Sequence, residues 1–387
     1  MRIALLADGF PSSGRPTFVF VQQLVFALVD MGVDVSVVAP QSLMHAVIRR
    51  ERLLPRHSLE ETIKGNTFNV YRPYALSFGN RGRKITQKCI RFNQHGVNKV
   101  LQAINPDVLY GHFWHSANKL KQYALTNRKP LFVACGEGDN AIEDLISLLS
   151  AADLTRLKNS VRGVISVSSE NRRKCVEYGL ARDKDIIVLP NCTDDTLFNA
   201  ATEEERQTIR NRLGVDANDF FVLFVGGFIP RKGADRVSRA IDKIASPHLK
   251  SAFIGKAMAG VESQPTCKGI VYKGTLEHDK LPDYYRAADV FCLPTLNEGC
   301  CNAIVESLSC GTPVISSARP FNDDILNEDN SLRINPESVD EIADAITKLM
   351  VDKEKYNSMK QYALNHSGDY SIDARSRKII AFIKSKI

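Results

Sequence analysis

Short apolar runs alternate along the chain with segments whose apolar residues recur at helical spacing. In the first half, the runs rich in β-branched residues lie at residues 3–7, 33–39, 107–111, 131–135, 163–167 and 186–190. Continuous apolar runs of this length are typical of parallel strands that are covered on both faces. The helical segments between them, such as residues 18–31, indicate right-handed βαβ crossovers.

The alternation pauses near residue 190, where PNCTDDTLFNAATEEE is polar, acidic and rich in turn formers. It then restarts with apolar runs at residues 220–226, 252–255, 269–274, 289–294 and 312–316. The pattern therefore predicts an α/β protein with two doubly wound, Rossmann-like domains that face a cleft. We expect an N-terminal domain over 1–192, a second domain over 193–370 and a final helix over 371–387. Ligands of such sheets bind beyond the carboxyl ends of the strands.

The composition is that of a globular protein, with 44% apolar and 25% charged residues among 387. No apolar run reaches the roughly 18 residues of a membrane span. The nine cysteines form no C-x-x-C pair, which favours reduced, packed thiols over disulfides or a zinc site. These features predict a cytoplasmic protein without a metal site.

The formal net charge of +7 is unevenly distributed. Residues 44–104 carry twelve Lys and Arg against three acidic residues. Two interpretations stay open: a solvated helix face, or a surface for anionic lipid or a phosphate-bearing substrate. In the second case the protein would lie peripherally at the inner face of the membrane. No nucleic-acid-binding motif accompanies the charge, so we expect no nucleic acid partner.

The most informative stretch is NEGCCNAIVESLSCGTPVIS, residues 297–316. It follows the predicted strand 289–294, so its loop lies at a carboxyl end and its helix starts there. Glu298 falls in the loop and Glu306 about one turn into the helix. Free N–H groups at a helix start bind phosphate, and Gly299 permits close approach of a ligand. Two acids at such an edge can each bind a pair of hydroxyls, as on a sugar and a ribose.

Two further loops follow predicted strands. VGGFIPRKG, residues 225–233, places Arg231 and Lys232 where they could bind a diphosphate, without the spacing of a Walker loop. GFPSSGRPTFVF, residues 9–20, contains Gly14, which could admit an acceptor or a diphosphate.

Together these motifs resemble the retaining glycosyltransferases of family 4, or group 1, which have the GT-B fold. The stretch 297–316 resembles the most specific motif of that family. Further matches occur in family order in NPDVLYGHFW, VLPNCTDDTLF and GTLEHDKLPDYYRAADVFCLPT. GFPSSGRPTFVF and SARPFNDDILN resemble members that build bacterial surface polysaccharides.

The resemblance implies a role for each matching residue. Glu298 would bind hydroxyls of the donor sugar, Glu306 those of a nucleotide ribose, and Lys232 the diphosphate. The main chain near the donor would be that of Gly226, Gly227, Gly299, Cys300, Cys301 and Asn302. Gly14 and His112 would lie on the acceptor side, and the final helix would cross back to the N-terminal domain. Family members generally need no metal or other cofactor.

This chain departs from the family pattern at two places. Gly227 stands where the family usually has Arg, and Arg231 is the candidate to replace that charge. Residues 136–139 read GEGD where the family often has a His, so Glu137 and Asp139 become candidates for contact with the reacting sugar. Asp139 is equally suited to cap the following helix.

The resulting hypothesis is a hexosyl transfer from a nucleotide diphosphate sugar to a hydroxyl of a glycan or lipid-linked acceptor, with retention. The leaving phosphate would accept the proton of the acceptor, as no second carboxylate pattern of a retaining glycosidase is evident. A sugar-nucleotide epimerase or phosphorylase of the same fold, and a non-catalytic partner subunit, are the alternatives. Asp183 and Asp185 form a D-x-D metal motif, but they lie in a polar turn.

Overall fold

The computed structural model describes residues 1–12, 18–48, 50, 52–76, 83–138, 140–257 and 263–387. These residues form two compact units. Unit 1 comprises Met1–Val167, Asn171–Leu189 and Ser376–Ile387, and unit 2 comprises Ser168–Glu170 and Pro190–Arg375. Each unit contains one large sheet of mainly parallel strands, as the alternating pattern predicts.

The sheet of unit 1 has eight strands in the order β10-β9-β8-β7-β1-β2-β5-β4. The strands of this unit are β1 (Arg2–Leu6), β2 (Asp34–Val38), β3 (Gln41–Ser42), β4 (His57–Glu61), β5 (Thr67–Tyr71), β6 (Tyr74–Ala75), β7 (Val108–His112), β8 (Leu131–Cys135), β9 (Val161–Ser166) and β10 (Ile186–Val188). Neighbouring strands of the sheet are parallel except β4 and β5, and β3 pairs separately with β6. The central strands β7 and β8 are buried along their whole length, which explains their continuous apolar sequence.

Helices connect these strands. They are α1 (Val19–Asp30), α2 (Leu43–Ile48), α3 (Arg83–Ile104), α4 (Trp114–Asn127), α5 (Ala141–Leu148), α6 (Ala151–Ser160) and α7 (Ser169–Glu177), with a 3-10 helix at Asp183–Asp185. Helix α4 packs closely on β7, because a Cβ atom on Gly111 would lie only 2.7 Å from the main-chain nitrogen of Ala117. Glycine at 111 is thus what permits this helix to approach the strand.

The basic segment 44–104 is more varied than a helix face. It contains α2, β4, β5, β6 and α3. Arg72 is only 4% exposed, and its guanidinium lies 2.5 Å from Glu60 and 2.7 Å from the hydroxyl of Ser58. The interpretation of the whole segment as a solvated helix face is therefore wrong for this arginine, which is a structural residue of the β4–β5 pair.

Unit 2 has six parallel strands in the order β13-β12-β11-β14-β15-β16. They are β11 (Phe220–Val225), β12 (Leu249–Ile254), β13 (Ile270–Gly274), β14 (Val290–Leu293), β15 (Val314–Ser317) and β16 (Ser331–Ile334). The helices are α8 (Glu203–Leu213), α9 (Ala234–Ile244), α10 (Leu281–Ala287), α11 (Asn302–Ser309), α12 (Val339–Val351) and α13 (Lys353–Asn365), with 3-10 helices at His278–Lys280, Pro320–Asn322 and Ser367–Tyr370. β11 and β14 are central neighbours, so the loops after them lie side by side.

A buried arginine ties the amino ends of β11 and β14 together. Arg210 of α8 is 1% exposed, and its guanidinium contacts the carboxylate of Asp289 at 3.0 Å. It also donates to the main-chain oxygens of Ala287, Asp216 and Asp219. One buried cation thus satisfies several acceptors at once, while its Nε atom has no hydrogen-bond partner among the described residues.

The final helix, α14, spans Ile372–Lys386, and its residues from Ser376 onward belong to unit 1. The ring of Phe382 packs edge-on against Phe132 of β8. Lys386 lies 2.8 Å from the carboxylate of Asp185, and its main-chain oxygen accepts a hydrogen bond from Arg162. The last helix of the chain thus returns to the first sheet.

Candidate functional site

Two loops at the carboxyl edge of the second sheet bring predicted site residues together. The loop 226–233 follows β11, and the loop 294–301 follows β14. A main-chain hydrogen bond of 2.9 Å joins Leu296 N–H to the oxygen of Arg231. The positions that the sequence pattern singled out in separate motifs are therefore neighbours in space.

The centre of this edge is the carboxylate of Glu298. Its Oε1 atom forms an ion pair with Lys232, a second with Arg231 at 3.0 Å, and a hydrogen bond with Thr295 at 2.9 Å. Arg231 also donates to the main-chain oxygen of Asn297 at 2.5 Å. The side chains of Glu298 and Lys232 are 13% and 16% exposed, so the cluster lies in a recess. Two cations held in place beside one carboxylate can bind an anionic group while the carboxylate accepts from hydroxyls.

Arg236, which the sequence analysis missed, holds both loops in place through hydrogen bonds to their main chains. It is 8% exposed, and burial lowers the pKa of its guanidinium. Its three nitrogens donate to the main-chain oxygens of Pro230, Pro294 and Pro336. Gly233 has φ +80°, and a Cβ there would lie 2.5 Å from the guanidinium of Arg236. A signal was present, because Arg236 falls on the apolar side of α9, four residues before Ala240.

Glu306 lies in α11, about one turn from its start, and is 7% exposed. Its Oε1 atom is 3.1 Å from Nε2 of His278, and its Oε2 accepts a hydrogen bond of 2.9 Å from the hydroxyl of Tyr285. The hydrogen bond to Glu306 raises the pKa of His278, and burial raises that of Tyr285. Two side chains that the sequence analysis did not single out thus orient this carboxylate.

The side chain of Asn191 contacts the start of α11. Asn191 donates from its amide side chain to the oxygen of Cys300 at 3.0 Å and to Asn302 at 2.7 Å. Cys301 is the N-cap residue and provides no side-chain cap. Its main-chain oxygen accepts from the N–H of Ile304 at 3.1 Å, so the N–H groups that an external acceptor could use are those of Asn302 and Ala303. Burial raises the pKa of Cys300 to about 12 and that of Cys301 to about 11, so both stay protonated thiols at neutral pH. Gly299 precedes this pair in the loop.

The glycine pair after β11 leaves room at its second position. A Cβ on Gly226 would make ordinary contacts of 3.5 Å or more, the first of them with Phe224. A Cβ on Gly227 would meet its nearest atom, the oxygen of Lys256, at 3.9 Å. A Cβ atom at 227 therefore fits without a clash, so crowding at that atom does not require glycine here.

In unit 1, Glu137 lies just after strand β8, and His112 is the last residue of the neighbouring strand β7. Oε1 of Glu137 accepts a hydrogen bond of 2.5 Å from the N–H of Trp114, in the first turn of α4. Oε2 is buried and has no hydrogen-bond partner among the described residues. Burial raises the pKa of Glu137 to about 7, so this carboxyl is half protonated near neutrality.

Aromatic rings surround His112 at this edge. The imidazole is 9% exposed and lies 5.3 Å from the ring of Phe20 and 4.6 Å from that of Phe113. Phe113 adopts φ 76° and ψ 159°, a strained conformation that costs about 1–3 kcal/mol and is common at ligand sites. The remaining predicted residues, Gly14 and Asp139, lie outside the described residues.

The raised pKa of Glu137 has a consequence for stability. Between about pH 4.5, its ordinary pKa, and about pH 7, the folded chain holds a proton that the unfolded chain releases. The free energy of unfolding therefore falls across this interval and is level above it. Glu137→Gln keeps the acceptor for Trp114 and removes the slope. We expect the variant to match the wild type near pH 4.5 and to exceed it by about 1–3 kcal/mol at pH 8.

Denaturant unfolding of both proteins across this pH range measures the difference directly. The exposed Glu61→Gln variant is the matched control, since its carboxyl meets water in both states. A stability difference for Glu137→Gln that does not change with pH would contradict the prediction.

Neither unit displays a metal site within the ranges that the structure describes. No group of three or more His, Cys, Asp and Glu side chains there could hold a metal ion. Asp183 is paired with Arg172, and Asp185 with Arg182 and Lys386, so the D-x-D turn serves ion pairs. Among the described helices, none has the length and apolar character needed to cross a membrane.

Known proteins resemble this chain in sequence and in structure. Residues 205–366 match the family model of the glycosyl transferases group 1. TuaC of Bacillus subtilis, a glycosyltransferase whose name assigns it provisionally to teichuronic acid biosynthesis, is 25% identical over 364 residues, covering 90% of this chain and 89% of TuaC.

Solved structures share the fold over nearly the whole chain. Sucrose-phosphate synthase from Thermosynechococcus elongatus has a TM-score of 0.75 at 17% identity and covers 99% of this chain and 98% of its own. HepE of Anabaena, in complex with UDP and glucose, has a TM-score of 0.71 at 18% identity and covers both chains fully. The family model covers residues 205–366, and the full-length relative and the shared architecture extend the likeness to the whole chain: it has the GT-B fold and is similar to group 1 glycosyltransferases.

Proposed function

We propose that the protein is a retaining, family 4 glycosyltransferase that moves a sugar from a nucleoside diphosphate donor to a hydroxyl of a glycan or lipid-linked acceptor. The observation that carries this proposal is the cluster of Lys232, Arg231 and Glu298 at the carboxyl edge of the second sheet. It combines cations for a diphosphate with a carboxylate for sugar hydroxyls. The complex of HepE with UDP and glucose supports a donor of this class.

The chemical barrier lies in breaking the bond between the sugar and the phosphate. Negative charge grows on the leaving diphosphate, and positive charge grows on the sugar ring. Lys232, Arg231 and the N–H groups at the start of α11 would stabilise the diphosphate, and they are held in place before the reaction. Preorganised groups of this kind supply the largest part of many rate enhancements.

The two glutamates would divide the donor between them. Glu298 accepts hydrogen bonds from hydroxyls of the transferred sugar, and Glu306 accepts from the ribose. A carboxylate has room for further donors beside His278 and Tyr285, because its two oxygens offer about four acceptor positions. The leaving phosphate oxygen takes the proton of the attacking hydroxyl on the same face of the sugar, which retains the configuration. We propose that no metal is required, and that Glu137 contacts a polar group of the substrate.

Features of unit 1 support a class of acceptor and a location for the protein. The basic segment 44–104 also exposes apolar side chains, and Val47, Ile48, Leu59 and Ile63 are 64–87% exposed. Cationic and apolar side chains exposed in one segment of the chain favour an anionic membrane. Together with the likeness to TuaC, this supports a cytoplasmic enzyme, peripheral at the inner face of the membrane, that acts in cell-surface polysaccharide biosynthesis.

Thermal unfolding with nucleotides tests the donor site. A nucleoside diphosphate at about 100 times its Kd stabilises the folded protein by about 2.7 kcal/mol, which corresponds to several degrees in Tm. We expect one base to give this shift with or without magnesium, and Glu306→Ala to abolish it. Glu354→Ala, an exposed residue of α13, should retain the full shift.

A folded wild type that no nucleoside diphosphate stabilises would contradict the proposed donor site. A shift that requires magnesium would contradict the metal-free mechanism alone. With the donor identified, the anomeric configuration of the product, read by NMR, decides between retention and inversion.

A further inference from the structure

A second recess lies in unit 1, at the edge where the strands of the sheet begin. Its volume is about 1130 Å³, and the segments leading into β8, β9 and β10 form its wall. The ends of α4, α6 and α14 complete the lining. In a parallel sheet this edge is opposite to the carboxyl ends, where His112 and Glu137 lie. The recess is therefore separate from the site assigned to the transfer reaction.

The lining carries a large excess of positive charge. Six cationic side chains line the recess, namely Arg128, Lys129, Lys158, Arg162, Arg182 and Lys386. The one acidic side chain among the lining residues, Asp185, already pairs with Arg182 at 2.7 Å and with Lys386 at 2.8 Å. For the other four cations, no carboxylate of the described chain lies within ion-pair distance.

The negative carboxyl ends of helices neutralise only part of this positive charge. The carboxyl ends of α4, α6, α7 and α14 lie at this edge, and each contributes about half a negative charge. Together with Asp185 they neutralise about three of the six cations. A carboxylate at the end of Ile387 would remove one more and still leave a surplus of about two. An external anion would neutralise this remaining positive charge.

The shape and the remaining lining narrow the chemical class of that anion. A bilayer is flat and contacts convex protein surfaces. A recess is instead accessible to a ligand that is small enough to enter it. The volume exceeds the roughly 300–1,000 Å³ of small-molecule sites and is far larger than a phosphate ion needs. Apolar side chains of Leu125, Pro130 and Val176 also line the recess. Sugar rings present both apolar faces and attached charges.

We propose that this recess, which we call the amino-edge site, binds a segment of an anionic glycan, that is, an oligosaccharide bearing carboxylates or phosphates. Arg128 and Lys158 are the principal anion contacts, because they stand on separate helices and lack a carboxylate partner among the described residues. The apolar lining residues contact the sugar rings. This proposal does not depend on the donor, the acceptor or the stereochemistry proposed above.

Titration calorimetry on the full chain tests the amino-edge site. The probe is a galacturonate hexasaccharide, with neutral maltohexaose, inorganic pyrophosphate and phosphatidylglycerol vesicles as comparisons. We expect the carboxylated glycan to bind more tightly than pyrophosphate, with an affinity that falls as salt rises. Maltohexaose should give no heat. The double variant Arg128→Gln/Lys158→Gln should weaken hexasaccharide binding about tenfold, as expected for the loss of two solvent-exposed ion pairs.

The matched control is Arg156→Gln/Lys378→Gln, which removes the same charge from exposed positions of unit 1 outside both the recess and the basic segment 44–104. It should leave hexasaccharide binding unchanged. Absence of binding, equal weakening by both double variants, or pyrophosphate binding of equal affinity that Arg128→Gln/Lys158→Gln weakens to the same extent would each overturn the proposal. So would vesicle binding that needs Arg128 and Lys158 without any glycan binding. If the double variant does not fold, Arg128→Gln alone, at an exposed helix end, makes the same comparison.

Discussion

Lys232→Ala is expected to lower kcat for sugar transfer about 100- to 1,000-fold, with a smaller change in KM for the donor. The ammonium lies beside the carboxylate of Glu298, is only 16% exposed, and is fixed next to Arg231. Its charge matters most when the diphosphate leaves, because the negative charge grows at that moment. Release of nucleoside diphosphate, measured with the donor that the thermal experiment identifies, gives both constants.

Lys243→Ala is the matched control, since this lysine is 55% exposed at the end of α9 and pairs with Asp340. It should retain wild-type kcat and KM. If Lys232→Ala raised KM and left kcat intact, the lysine would bind the donor equally in the ground and transition states. That result would contradict its role at the leaving group while leaving donor binding in place.

Arg210→Met is expected to lower the free energy of unfolding of unit 2 by about 3–5 kcal/mol. The variant keeps the packing volume but removes the donor for Ala287, Asp216 and Asp219, and one of the partners of the buried Asp289. Arg206 still contacts Asp289 at 2.7 Å, so the loss combines a weakened ion pair with three main-chain oxygens that lose a donor. Denaturant unfolding followed by probes in unit 2 measures the change.

Arg212→Met provides the comparison on the same helix. Arg212 is 63% exposed, and its ion pair with Asp283 is a surface contact worth at most about 1 kcal/mol. Equal effects of the two substitutions would show that the buried network contributes no more than a surface ion pair.

Strand positions followed closely from the apolar runs wherever a strand is covered on both faces. Residues 3–7 and 220–226 were predicted, and Arg2–Leu6 and Phe220–Val225 are observed. The edge strand β4 was missed because its sequence, HSLEE, is polar and half exposed. The apolar pattern is weak in β4 because an edge strand buries less surface, and because this strand pairs antiparallel with β5.

The candidate site was predictable where chemistry and chain position coincide. Glu298 and Lys232 were found because each follows a predicted strand, and carboxyl ends of neighbouring strands meet. The sequence analysis did not identify Arg236, His278 and Tyr285, because their roles depend on contacts with residues distant in sequence. Arg236 reaches three main-chain oxygens up to 100 positions away, which no local spacing encodes.

The pairing of Glu298 with its two cations also bears on product release. An empty site whose charges satisfy one another has little attraction for stray phosphate compounds. A complete donor can replace that pairing on both sides, since its diphosphate takes the cations and its sugar hydroxyls take the carboxylate. Once the sugar has left, the remaining nucleoside diphosphate must draw the cations away from a carboxylate that has lost its hydroxyl partners. If the donor binds as proposed, re-forming the ion pairs seen between Glu298 and its two cations would compete with the spent nucleotide, limit product inhibition and favour turnover.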